Sequence, residues 1–145
     1  MTSVAHKYNE LVALDPDLDW AFPKVDPEAV PLGSRVLIQL KRIRKTSKGG
    51  LVLIEETKET EKWNSQIGLV IAMGPLAFRK RDTMELWPEG TWVKPGDFVR
   101  VPKYGGDRWE VEVVGEEEQV LFAIFNDFDM IALKKGNPLN VKAYL

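Results

Sequence analysis

From Ser34 to Lys41 the apolar residues fall into a period of two. Val36, Ile38 and Leu40 share one face, while Leu37, Gln39 and Lys41 share the other. Such alternation gathers apolar side chains on one side of an extended chain and scatters them around a helix, so the segment is read as a strand. Trp63–Met73, ended by Gly74-Pro75, and Asp97–Pro102, Trp109–Val114, Gln119–Phe125 and Met130–Leu133 read as further short strands, with turn residues between the segments. Short strands at this spacing predict an all-β fold, a small barrel or sandwich. The 11 glycines and 9 prolines of the 145-residue chain suit that turn-rich architecture, and the length suits one domain.

The first thirty residues have a different texture. Val4, Tyr8, Leu11 and Val12 stand at helical spacing and predict an amphipathic helix over 4–14, stopped by Asp15-Pro16-Asp17. Prolines 16, 23, 27 and 31 then exclude a continuous regular element, although Asp26-Pro27-Glu28 has the cap and first-turn proline for one helical turn. Residues 1–30 are therefore expected to form an appendage, with the β domain over 31–134 and an extension over 135–145.

Composition removes several function classes. With 20 basic and 22 acidic side chains the net charge is −2, so the basic surplus usual in a dedicated nucleic-acid binder is missing. There is no cysteine, hence no disulfide, thiol nucleophile or thiolate zinc site, and the single histidine, His6, lies in the appendage. The longest apolar runs are of the kind Leu69–Met73 and Leu121–Phe125 and fall far short of the ~20 residues of a membrane helix. The N-terminus shows no basic-then-apolar leader, so a cytoplasmic protein is expected.

No constellation in the sequence promises catalysis or metal binding. Asp127 and Asp129, and Glu116-Glu117-Glu118 after Gly115, read as solvated turn residues. Neither Gly49-Gly50 nor Gly105-Gly106 fits a phosphate loop. Tryptophans 20, 63, 87, 92 and 109 together with Arg42, Arg44, Lys45 and Lys48 suggest an alternative, a stand-alone barrel binding single-stranded nucleic acid or protein. The ordinary reading is tryptophans in the core and solvated basic residues before a loop.

One segment resists the ordinary reading. Leu51-Val52-Leu53-Ile54 is apolar between Lys45-Thr46-Ser47-Lys48-Gly49-Gly50 and the acidic run from Glu55 to Lys62. It is either a buried strand or an exposed anchor for a partner. In an extended conformation Leu51 and Leu53 point one way and Val52 the other, so two leucines enter a groove together.

At these residues the chain resembles the GroES-type co-chaperonins. Pro31-Leu32-Gly33-Ser34-Arg35-Val36-Leu37-Ile38 resembles the family's opening strand, and Lys45 to Leu53 its mobile loop, with Gly-Gly before an aliphatic tripeptide. Gln66-Ile67-Gly68-Leu69-Val70-Ile71-Ala72-Met73-Gly74-Pro75 is similar to its Gly-x-Val-x-Ala-x-Gly strand. Val93-Lys94-Pro95-Gly96-Asp97, Lys103-Tyr104-Gly105-Gly106 and Asp127-Phe128-Asp129-Met130-Ile131-Ala132-Leu133 follow in the family's order. The resemblance implies a partly irregular β-barrel subunit, a mobile loop at about 44–62 and a roof-like hairpin or loop at about 75–92. It further implies a heptameric lid on a GroEL-type chaperonin, closing a folding chamber around a substrate while the chaperonin binds and hydrolyses nucleotide. The lid itself holds no cofactor and is no enzyme; the same barrel in zinc- and nicotinamide-dependent dehydrogenases is a remote third reading.

Carried over residue by residue, Gly49, Gly50, Leu51, Val52 and Leu53 are the expected chaperonin contacts. Val36, Ile38, Ile131 and Leu133 are candidates for the ring interface, with ordinary barrel core as the competing reading. The added termini and the divergent stretch Leu76–Trp92, with its Arg79-Lys80-Arg81 triplet, resemble virus-encoded members of the family, which serve a large capsid protein. The triplet is expected at the surface.

Overall fold

The computed structural model describes residues 17–42, 66–116 and 118–139. The expected helix over 4–14 and the Leu51–Leu53 segment lie outside the described residues. The elements are α1 (Asp17–Ala21), β1 (Arg35–Leu40), β2 (Ile67–Met73), β3 (Phe98–Arg100), β4 (Asp107–Val111), β5 (Val120–Asn126), a 3-10 turn at Asp127–Asp129, and β6 (Ala132–Leu133). β1, β2, β3 and β6 fall inside the expected strand segments, while β4 starts two residues before the expected Trp109 and β5 ends one residue beyond the expected Phe125.

The strands form one antiparallel sheet in the order β4-β5-β1-β2-β3-β6. β1 is central, with β5 on one side and β2 on the other. Its pairing with β2 slips between Leu37 and Ile38: Leu37 faces Ala72 and Ile38 faces Val70, which leaves Ile71 as the extra residue of a bulge. The turn into β3 is closed by Asp97, whose carboxylate accepts the Lys94 N–H at 2.9 Å, and Gly96 between them takes φ +95°, a value that favours glycine.

Both faces of the sheet are buried, so Leu37 and Gln39 on the second face of β1 are as covered as Val36, Ile38 and Leu40 on the first. Val36, Ile38 and Leu40 meet Val70, Val99, Leu121, Ala123 and Phe125 on one face. Phe78 closes that core, with Trp87 and Trp92 packed against it in edge-on and tilted contacts at centroid distances of 4.9–5.9 Å. Leu37, Phe122, Val120 and Val111 occupy the other face, beside a third cluster in which Leu18, Ala21 and Phe22 cover Ile67, Leu69 and Phe98.

That outer cover is formed by α1 and an extended strap over 22–31, and it differs from expectation. Five residues between Pro16 and Pro23 suffice for the one helical turn of α1, closed by the Phe22 N–H on Leu18 O at 2.9 Å. The turn expected at Asp26-Pro27-Glu28 is not helical. The Trp109 indole N–H bonds to Pro27 O at 2.9 Å and the Asp26 carboxylate accepts the Glu28 N–H at 2.8 Å, which holds the chain extended and puts Glu28 at φ +63°. The Gln39 side chain, buried in β1, donates to Pro23 O at 2.8 Å, so the one polar residue on that stretch of strand is satisfied by the strap.

The strap is a docked unit, which gives a first prediction. Phe22→Ala removes a fully buried ring that packs edge-on against Phe98 at 5.1 Å and is expected to cost about 3 kcal/mol. The loss cannot exceed the docking free energy of the segment, because the strap can open while the sheet stays folded. Hydrogen exchange is therefore expected to quicken at the Phe22 and Arg42 amides and stay slow across the β1–β5 ladder. Uniform acceleration of both would show the strap and sheet to be one cooperative unit.

Candidate functional site

β1 and β2 are adjacent and antiparallel, yet the chain between them runs from 41 to 66, several times the roughly two to five residues a hairpin connection needs. The feet of this connection are fixed. The Lys41 N–H bonds to Ile67 O at 3.0 Å on one side, and Gln66 O accepts the Val101 N–H at 2.8 Å on the other. The expected contact residues Gly49, Gly50, Leu51, Val52 and Leu53 belong to this connection and lie outside the described residues.

Arg42, at the first foot, is not the solvated basic residue its neighbours suggested. It is buried, with its backbone N–H on Ala21 O at 3.0 Å and its Nε on Trp20 O at 2.9 Å. Its Nη2 pairs with Glu116 Oε1 at 3.1 Å, its Nη1 donates to Glu118 O at 3.2 Å, and the guanidinium carbon stands 4.3 Å from the centroid of the Trp20 ring. Glu116, read from sequence as a solvated turn residue, is the partner of this buried cation.

The ring-interface candidates are not brought together on one surface. Val36 and Ile38 are fully buried in the central strand and serve the core of their own subunit. Ile131 and Leu133 are 58% and 52% exposed, at the β6 end of the sheet. Beside them runs a groove of about 500 Å³ whose lining includes Trp92, Phe128 and Met130. Sequence reasoning missed further apolar side chains at the surface, among them Val30, Leu32 and Phe128, exposed by 79%, 70% and 64%. The signal for Val30 and Leu32 was available: each flanks Pro31 in a segment where regular structure is excluded, so nothing local obliges them to be covered.

Within 75–92 the chain makes a narrow hairpin, with Arg79 bridged to Leu86, Lys80 N–H on Glu85 O at 2.7 Å and Trp87 N–H on Phe78 O at 3.0 Å. Lys80 and Arg81 are exposed, while Arg79 is partly buried and donates to Met84 O at 2.9 Å. The hairpin is rooted on Asp127, which is buried rather than solvated: one oxygen accepts the Phe78 N–H and the other the Phe128 N–H, each at 2.8 Å. Phe78 sits at φ +62°, a strained value for a non-glycine residue that this bond helps to hold. Asp127→Ala, which strands the buried Phe78 N–H, is expected to cost about 2–3 kcal/mol in urea denaturation, and a loss under 0.5 kcal/mol would show the bond to be idle.

Asp129 accepts the Asn126 N–H at 3.3 Å, a turn contact, and among the described residues no group of acidic or histidine side chains is arranged to hold a metal. The four described tryptophans pack on the protein's own clusters, which removes the stacking platform a single-strand binder needs. Among the described residues no helix is long and apolar enough to cross a membrane.

The described body is a mostly-β sheet with an outsized connection between two neighbouring central strands and exposed apolar residues near one sheet edge, features by which a chain engages a partner. Residues 28–133 match the chaperonin 10 kDa subunit family, and the chain belongs to it. It is 36% identical over 115 residues to the co-chaperonin GroES of Methylacidiphilum infernorum, an alignment covering 77% of this chain and 99% of the relative. It is also 34% identical to the co-chaperonin GroES of Caldicellulosiruptor saccharolyticus and 37% identical to that of Clostridium botulinum strain Hall, over 71% and 73% of this chain and 93% and 96% of theirs. The family is one of non-enzymatic co-chaperonins.

Proposed function

We propose that the chain forms a ring-shaped lid, a heptamer of barrel subunits, that caps a GroEL-type chaperonin in the cytoplasm while that partner binds nucleotide. The observation that carries this reading is the connection from 41 to 66, which leaves two neighbouring strands at a fixed root and holds Gly49-Gly50-Leu51-Val52-Leu53 between polar stretches. Chaperonin contact is assigned to these five residues. One such segment binds weakly, since each buried leucine contributes roughly 1.5–3 kcal/mol before the cost of ordering the chain. Several on one ring act together, because after the first contact the rest are intramolecular.

The ring contact is assigned to Ile131 and Leu133 of one subunit against the exposed Val30–Leu32 segment leading into β1 of the next, with Val36 and Ile38 supporting that strand from within. Both partners present apolar side chains, and β6 lies at an end of the sheet. A virus-encoded origin, with a capsid protein as the encapsulated substrate, is the finer form of the proposal. It is supported only by the added N-terminal segment and the divergent hairpin region, and it fails if this lid and a host lid fold the same substrates without a size difference.

The test is native mass of the full chain, alone and with a chaperonin and ADP or ATP. A heptamer that co-migrates with the chaperonin only when nucleotide is present is expected; a stable monomer that ignores the chaperonin overturns the reading. In the same measurement Ile131→Glu with Leu133→Glu is expected to raise the concentration needed for assembly at least about tenfold, since two like charges would sit at an apolar contact. Assembly unchanged by the pair would move the interface elsewhere.

A further inference from the structure

The segment N-terminal to the family match packs against the root of the 41–66 connection. Residues 17–27 precede the matched region, yet Trp20 and Ala21 supply two backbone acceptors and a ring face to Arg42, the residue from which the 41–66 connection departs. Glu116 and Glu118, on the turn between β4 and β5, complete the enclosure from the other side. We infer that Arg42 is a positioning residue for chaperonin capping: with α1 and Glu116 it fixes where and in which direction the contact segment leaves the body. The inference rests on the lid reading and adds to it the part played by this chain's own N-terminal segment.

A guanidinium enclosed by a carboxylate, two carbonyls on different segments and an indole is held in direction as well as position, because its planar fork fits one arrangement. The backbone N–H of the same residue is pinned to Ala21 O, so the main chain at the root is fixed together with the side chain. A segment that departs from a fixed root explores less space and is concentrated near its receptor site, which raises its effective concentration once the ring has docked. Freeing the root lowers that concentration at every subunit at once. A twofold loss at each loop compounds to about a hundredfold over a ring of seven.

A residue that only holds the fold together would act otherwise. Its loss would lower the melting temperature and the fraction of assembled ring, and leave affinity per assembled ring unchanged. The Arg42 enclosure, by contrast, lies at the foot of the connection and shares no residue with the groove beside β6. Ring assembly and capping should therefore separate.

The experiment uses the full chain with Arg42→Ala and Arg42→Lys, each read three ways below its melting temperature: native mass of the ring, affinity of the assembled ring for a chaperonin in ADP, and motion at the root. For the last, the absence of cysteine allows a single spin label at Lys45→Cys. Rings of wild-type mass, a capping affinity lowered about a hundredfold in Arg42→Ala, and a narrower label spectrum are expected. Arg42→Lys, which keeps the charge and loses the fork, should fall most of the way to the alanine variant. Intact Arg42→Ala rings that cap with wild-type affinity overturn the inference. Should Arg42→Ala fail to assemble, Trp20→Leu, which leaves the ion pair with Glu116 in place, is read in the same way: unchanged label motion and affinity overturn it, and loss of both supports it. A wild-type ring that does not bind the chaperonin at all is a different result, which refutes the lid reading itself.

Discussion

Leu51→Asp and Leu53→Asp are each expected to give rings of wild-type mass that no longer cap a chaperonin in nucleotide. Each substitution removes one buried leucine per subunit and puts an unpartnered carboxylate into an apolar groove, a change that costs more than the leucine contributed. In a ring the loss repeats at every contact, so capping affinity should fall by more than about a thousandfold. Assembly should survive, because the two strands that carry the connection are closed below it by the Lys41 to Ile67 bond. Val52→Asp is the internal comparison: in an extended segment its side chain faces away from the two leucines, and it should lose far less. Co-migration with the chaperonin in ADP, followed on native gels, decides the matter. Normal capping by both leucine variants would remove the assignment of this segment.

The strands were legible because alternation is a local property. In β1 the partition into two faces read from the residues is the partition observed, with Val36, Ile38 and Leu40 in one cluster and Leu37 in another. Periodicity does not say what covers each face. The outer cover comes from α1 and the strap, where prolines hide any period and where the organising contacts join residues far apart in sequence, such as Trp109 to Pro27 and Gln39 to Pro23. Asp127 and Arg42 were misjudged for a related reason. A charged residue in a turn or before a loop is usually solvated, and only the fold brings the Phe78 N–H to one and Trp20, Glu116 and Glu118 to the other. The hairpin at 78–87 breaks local rules outright, with Phe78 and Met84 at positive φ.

The residues proposed as chaperonin contacts lie in the opposite situation. Gly49 to Leu53 were picked out because an apolar run between polar ones conflicts with its surroundings, and a conflict of levels in a sequence marks function more often than it marks fold. The structure adds what the sequence could not, the geometry of the root from which those residues depart. The outer surface of the sheet, the root and the N-terminal strap thus form one continuous piece of packing.

Gly74→Ala is expected to be the most damaging single substitution in the described body. Gly74 ends β2 against the segment entering β1, with its N–H on Arg35 O at 2.8 Å while Leu76 N–H bonds to Gly33 O at 2.9 Å. A β-carbon at Gly74 would stand 2.2 Å from Gly33 O, 2.8 Å from Gly33 C and 3.0 Å from Leu32 C. All three are backbone atoms, so no rotamer change relieves the overlap and the two segments must part. Parting breaks both hydrogen bonds and displaces the stretch that carries Val30 and Leu32, so stability should fall by about 3 kcal/mol or more and assembly should fail with it. Gly90→Ala separates this cause from backbone strain, since Gly90 sits at φ +74° with nothing within 4 Å of its would-be β-carbon. It should cost only about 1–2 kcal/mol, the penalty of the left-handed conformation, and leave the ring intact. Urea midpoints and native mass on the two variants side by side make the comparison. If Gly74→Ala proved no worse than Gly90→Ala, the close approach at the start of β1 would not be what requires glycine there.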